Sequence, residues 1–206
     1  MKRRTICLSF DFEECDLPRE AGVDFPLADG MRVSVECAEA VLDILERQGI
    51  KATFFCTLNF AENAPEIMRR LVASGHEIAA HGVDHFRQTA EDPYLCKAGL
   101  LQIPASVTPI LRFPLFWLAL HLLPEFIYHA LVRYVLRHDG ALVTYFHPWE
   151  FSEELARRAR ELKTPAPVKP KLGLPMRSRL ENFIVAMKRI GADFDIINHT
   201  FPEESK

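Results

Sequence analysis

The sequence predicts an α/β fold built on a parallel sheet or barrel, and three observations predict it. Short apolar runs rich in β-branched residues alternate with amphipathic helical stretches. Glycine stops three of those helical stretches, at Gly49, Gly75 and Gly191. Acids and histidines stand just past several strand runs, where folds of this class carry their functional face. The 206 residues are 49% hydrophobic and 26% charged, which excludes disordered and fibrous classes and gives enough chain for one sizeable core. A single domain over residues 1–206 is expected.

In chain order, Thr5 to Phe12 reads as a buried strand that ends in acids. Val35 to Gln48 places Ala38, Val41, Leu42 and Leu45 on one helical face and ends at Gly49. Lys51 to Thr57 is a second strand, Pro65 to Ala73 a helix opened by proline, and His76 to Ala80 a third, short strand. The rhythm fails after His85, with no clear element before the apolar LLQI at Leu100 to Ile103. A proline-bounded helical region, Ile110 to Leu136, leads to a strand at Ala141 to Phe146 and a helix at Glu153 to Leu162. Lys163 to Arg177 carries four prolines and reads as an extended surface connection. A helix at Arg179 to Ile190 and a closing strand at Asp193 to Asn198 finish the chain.

Lys and Arg number 25 against 28 Asp and Glu, a net charge of -3, so no basic field favours nucleic acid. The five cysteines, Cys7, Cys15, Cys37, Cys56 and Cys96, form no C-x-x-C pair and suit a reducing compartment better than a disulfide framework. After the basic opening MKRR too few apolar residues precede Asp11 for a signal-peptide core, and a cytoplasmic location is expected. Charges and prolines interrupt Ile110 to Leu136, so it is not a spanning helix. It is expected to pack as core, with an amphipathic face for a membrane surface or partner as the competing reading.

The chemistry concentrates in three places. Asp11 and Glu13 in SFDFEE share one face of their strand while Phe12 points into apolar packing. His81 and His85 in HGVDH have the i, i+4 spacing that on a helical turn aims two imidazoles at one point. Two histidines and a carboxylate can then grip one cation and leave positions open for water and substrate. His147 in TYFHPWE follows a strand and precedes a proline, beside Trp149, and a histidine there that is not a ligand suits proton transfer near neutrality. Each feature alone is weak: a lone D-x-E is usually a solvated turn and H-x-x-x-H pairs arise by chance. His76, His121, His129, His138 and His199 carry no comparable pattern and read as ordinary core or surface histidines. Asp84 and Asp195 are weaker candidates for supporting roles.

In this order, SFDFEE, KATFF, GHEIAAHGVDH and YFHPWEF resemble the polysaccharide deacetylase family, also called the NodB-homology or carbohydrate esterase family four group, from about Thr5 to Phe151. The resemblance implies a distorted (β/α) barrel, a divalent metal held by a carboxylate and two histidines, and hydrolysis of an N-acetyl or other N-acyl group on a carbohydrate. It makes Asp11 the general base, Glu13, His81 and His85 the metal ligands and His147 the proton donor. The family commonly opens with two consecutive aspartates. Here Phe12 fills the second place, so the metal carboxylate shifts to Glu13, with Glu14 the weaker alternative. Between His85 and Gly99 the family's further strands, helices and arginine motif are missing, so the barrel is expected to be incomplete.

The expected reaction uses a divalent ion, most simply zinc, to activate water and polarise the acyl carbonyl. A glycan intermediate of surface polysaccharide synthesis is the expected substrate class. Two rivals remain: a non-catalytic descendant that binds carbohydrate or protein, favoured by the missing segment, and an iron-dependent oxygenase with a facial triad. Peripheral membrane contact and self-association follow from the apolar region and the missing strands.

Overall fold

A computed structural model describes residues 4–83 and 105–202. Five strands form one open parallel sheet: β1 (Thr5–Phe12), β2 (Thr53–Cys56), β3 (Glu77–Ala80), β4 (Ala141–Phe146) and β5 (Asp193–Phe194), in the order β3-β2-β1-β4 with β5 also on β1. β4 takes one edge of β1 from Thr5 to Phe10. The other edge is shared, with β5 on Thr5 and Ile6 and β2 from Ser9 onward. Among the described residues the sheet does not close, which is the incomplete form of the expected barrel.

The two faces of β1 differ as its alternation requires. Ile6, Leu8, Phe10 and Phe12 are wholly buried in the main core. Phe12 meets Phe54 edge-on at 4.7 Å and Phe60 at 5.3 Å, so its side chain turns away from the acids on either side. Cys7, Ser9 and Asp11 occupy the opposite face, where Cys7 lies 3.2 Å from Thr200 Oγ1.

Among the described residues the α-helices are α1 (Leu17–Glu20), α2 (Leu27–Gln48), α3 (Leu58–Asn63), α4 (Pro65–Ala73), α5 (Trp117–Leu122), α6 (Glu125–His138), α7 (Glu153–Arg157), α8 (Leu174–Arg189) and α9 (Ile197–Thr200). α2 buries Val33, Cys37, Ala38, Val41, Leu42 and Leu45, packs against α8, and ends where Gly49 adopts φ 58°. It begins eight residues earlier than its clean apolar period suggests, because its first turns serve a close contact. Gly30 passes so near that an added Cβ would sit 2.7 Å from the Cys15 carbonyl oxygen. This approach holds the segment after β1 against the helix.

The C-terminal elements also depart from expectation. α8 starts at Leu174 with proline in its first turn, taking the end of the expected surface connection into a packed helix. The closing strand stops at Phe194, and α9 follows where Glu77 Oε2 accepts the backbone N–H groups of Ile197 and Asn198. α3 has no counterpart among the expected elements; Thr57 caps it by accepting the Phe60 N–H at 3.1 Å.

The apolar region joins both readings given to it. Leu115, Leu120, Tyr128, Val132 and Val135 enter the core, while Ile110, Leu111 and Phe126 stay largely exposed. No helix among the described residues is long and apolar enough to cross a membrane. The cysteines described, Cys7, Cys15, Cys37 and Cys56, are buried free thiols. Cys96 and the expected LLQI element lie outside the described residues.

Candidate active site

Parallel register brings the polar residues to one rim. Phe10 pairs with Phe146, so Asp11, one step on, is level with His147. Phe12 pairs with Cys56 and Cys56 with Ala80, so Glu13 and His81 flank Thr57 one step past the last paired positions. Backbone bonds carry this order beyond the strands: Thr57 N–H donates to Phe12 O, and His81 N–H to Cys56 O. Leu58 and Asn59 N–H groups at the start of α3 donate to Gly82 and Val83, fixing the turn that presents His81.

Two close pairs result. Glu13 Oε2 is 3.5 Å from His81 Nε2, and Asp11 Oδ2 is 3.7 Å from His147 Nε2. Asp11 and His81 line a pocket of about 300 Å³ with Ser9, Phe55, Val143 and Tyr145. That volume lies at the small end of ligand pockets. Phe116 stacks on Tyr145 at 5.5 Å, and Trp149 stacks on the His147 ring at 5.6 Å.

Burial pushes the Asp11 carboxyl up, and the nearby Glu13 and Glu150 charges add to this against the opposing pull of His147 and His81. Burial pulls His81 down, but Glu13 and the Asp11 charge outweigh it and its net shift is upward. Burial also opposes the charge on His147, yet Glu150, Asp11 and Glu13 reverse it and raise the imidazole. A raised carboxyl beside a raised imidazole is an arrangement suited to acid–base chemistry.

The donor spacing fits a cation on one side of the rim. Two donors each roughly 2.0–2.1 Å from a tetrahedral zinc ion stand about 3.4 Å apart, and the Glu13–His81 separation of 3.5 Å matches that spacing. The third ligand expected, His85, lies outside the described residues, as does Asp84. Among the described residues no three His, Cys, Asp or Glu side chains converge as a metal cluster. Glu14 is directed elsewhere, accepting a hydrogen bond from the Thr57 hydroxyl at 3.2 Å. Glu13 is therefore the better-placed carboxylate.

Two readings of the sequence need correction. Residues 81–83 are not helical, and Gly82 has φ 83°, so a helical turn does not present His81. The strand end and the α3 contacts do that work. Asp195 sits 3.0 Å from His199 Nδ1, while Glu150 takes the place beside His147. His121 is a buried core histidine, as expected, and its partner is Glu150: its Nε2 lies 3.0 Å from Glu150 Oε2, and both residues are fully buried. The signal within reach was Glu150 itself, three residues after His147 at the start of a helical turn, where its Oε1 accepts the His147 N–H at 2.7 Å.

Residues 2–103 match the family model described as polysaccharide deacetylase. Over these residues, about half its length, the chain resembles the polysaccharide deacetylase family. It is 45% identical over 49 residues to a chitooligosaccharide deacetylase of Bradyrhizobium sp. (strain ANU 289), covering 24% of this chain and 22% of that one. It is 30% identical over 92 residues to one from Rhizobium leguminosarum bv. trifolii, covering 45% and 41%. The matched region thus spans less than half the length of these deacetylases. Among solved structures, the family 4 carbohydrate esterase from Streptomyces lividans, in complex with acetate, superposes with a TM-score of 0.51 at 15% identity. That superposition covers 98% of this chain and 96% of the esterase, and it establishes a shared fold.

Proposed function

We propose that this protein hydrolyses an N-acetyl or related N-acyl group on a carbohydrate, with an N-acetylated oligosaccharide of a surface glycan as the substrate class. The observation that carries the reading is the pairing of Asp11 with His147 at 3.7 Å, on the same rim as the Glu13–His81 pair. In this reading Glu13 and His81, with His85, hold a divalent cation, most simply zinc. Bound there, such an ion supplies Lewis-acid polarisation of the acyl carbonyl and lowers the pKa of water.

Asp11, raised by burial, takes the proton from the attacking water. His147, whose imidazole its carboxylate neighbours raise, gives a proton from Nε2 to the departing amine, which otherwise leaves poorly. The products are the free carboxylate and an amino sugar. Trp149 and Tyr145 flank the imidazole with ring contacts at 5.6 and 5.7 Å and limit water around it. The oxygenase alternative gives this histidine no task.

Acetate release from N-acetylated oligosaccharides, measured together with the metal content of the purified protein, tests the reading. Metal-dependent acetate release is expected. A binding protein without catalysis is the second reading, favoured by a match that spans less than half the length of the related deacetylases. Oligosaccharide binding with no acetate released by the metal-loaded protein would establish it instead.

A further inference from the structure

Glu150 is a carboxylate with zero exposure, lodged between two imidazoles. Oε1 accepts the His147 backbone N–H at 2.7 Å and lies 3.5 Å from His147 Nδ1, an electrostatic contact to a ring nitrogen that makes no hydrogen bond of its own. Oε2 lies 3.0 Å from Nε2 of His121, a residue with zero exposure carried on α5. Burying an ionised carboxylate is costly unless close partners hold it, and capping a single turn needs no charge. The surroundings fix both rings. Trp117 meets His121 and His147 edge-on at 5.8 and 5.5 Å. Arg179 donates to the Leu120 and Leu123 carbonyls at 3.0 and 2.6 Å, and Lys171 to the His121 carbonyl, so the short helix bearing His121 is tied at its C-terminal end.

We propose that Glu150 and His121 are positioning residues for His147. Glu150 draws Nδ1 of the His147 ring toward itself and so turns Nε2 toward Asp11 and the pocket, while His121 holds the second carboxylate oxygen and prevents its rotation. In the neutral ring the proton then resides on Nδ1, and Nε2 is the atom that gains and gives up a proton. Burial pushes Glu150 up, but His121 and His147 outweigh it and lower the carboxyl, in keeping with an ionised group between imidazoles. The other titratable groups acting on His147 are Asp11 and Glu13 from the first strand's end, His81 past β3 and Tyr145 on β4. The assignment of His147 as proton donor rests on the proposed function; the Glu150–His121 contact does not.

Histidine side-chain nitrogen NMR on the metal-loaded protein, with His147 assigned by a His147→Asn variant, provides the test. In the unaltered protein His147 is expected as the Nδ1–H tautomer when neutral, titrating above about 6.5. In Glu150→Gln its midpoint is expected to fall by about one pH unit, and kcat by about 10- to 100-fold with KM within twofold, the range typical of supporting residues. Glu150→Asp should recover part of both, and His121→Phe should shift both in the same direction by less. An Nε2–H tautomer with an ordinary midpoint in the unaltered protein overturns the proposal without any variant. So does an unmoved His147 midpoint in folded Glu150→Gln. If Glu150 sets the His147 titration and no acetate is released, the positioning stands and the hydrolase reading fails. If acetate is released while His147 is indifferent to Glu150, the hydrolase reading stands and the positioning fails.

Discussion

The two halves of the rim are built differently. On the β2–β3 side, Glu13 and His81 come from the end of one strand and the start of a turn after another, and their expected third partner belongs to the chain beyond Val83. On the β4 side, Glu150 and His121 form a buried pair behind the partly exposed His147, with Trp117, Trp149 and Tyr145 packed around them. The first half depends on chain outside its own contacts, whereas the second is locked by packing and hydrogen bonds. A proton-transfer group needs fixed orientation, and a cation-binding group needs mainly donors able to converge, so under the proposed function the two halves would meet different physical demands.

The largest expected effect separates the halves directly. Asp11→Asn keeps the shape of the side chain and removes the base, so turnover should fall on the order of 100- to 10,000-fold while metal content is unchanged. Preserved hydrolysis would sink the base assignment, and co-purified metal measured on the same sample checks the separation. His81→Ala should do the reverse first. Its metal affinity should drop more than roughly 100-fold, beyond the loss typical of a supporting residue, with activity following metal occupancy. Titration with zinc and a competing chelator reads this, and unchanged affinity would remove His81 from the ligand set.

The aromatic layer beneath both halves gives the next effect. Phe12→Ala should destabilise the protein by about 3–5 kcal/mol in urea unfolding, since the ring is fully buried against Phe54 and Phe60. A loss below about 1 kcal/mol would mean that Phe12 is not the core residue its contacts indicate.

The smallest effect is a pH window. Glu150 is lowered on folding, so its contribution is present above the ordinary glutamate value and lost as pH falls through the lowered one. His147 is raised, so its contribution is complete below the ordinary histidine value and lost as pH rises through the raised one. Both are complete between roughly pH 4.3 and 6.5. The stability difference between the unaltered protein and Glu150→Gln should therefore peak in that window and shrink on both sides in urea titrations. A difference flat from about pH 3 to 9 would show that the buried carboxylate carries no charge linkage.

Much of the pattern of strands and helices is legible in the sequence because its signals are local. The alternation of Thr5–Phe12 sets the strand and puts Asp11 and Phe12 on opposite faces; Pro65 and Gly75 bracket α4; Ala141–Phe146 forms the strand its composition predicts. The start of α2 and the extent of α8 differ from the sequence pattern because tertiary contacts override it there: a glycine approach to Cys15 and packing between the two helices. His121 carries no local signal because its partner is 29 residues away. No spacing rule joins a histidine on one helix to a carboxylate in a turn after a strand.

The sequence by itself determined the parallel α/β class, the alternating faces of β1 and the residue types at the strand ends, since these follow from periods of two and 3.6 and from turn chemistry. Only the tertiary structure decided which of those residues meet. Register across the strands sets Asp11 beside His147 and Glu13 beside His81, and helix packing delivers His121 to Glu150. The physical reason is that backbone pattern acts over a few residues, while the convergence of side chains is fixed by hydrogen-bond register and core packing between segments far apart in the chain.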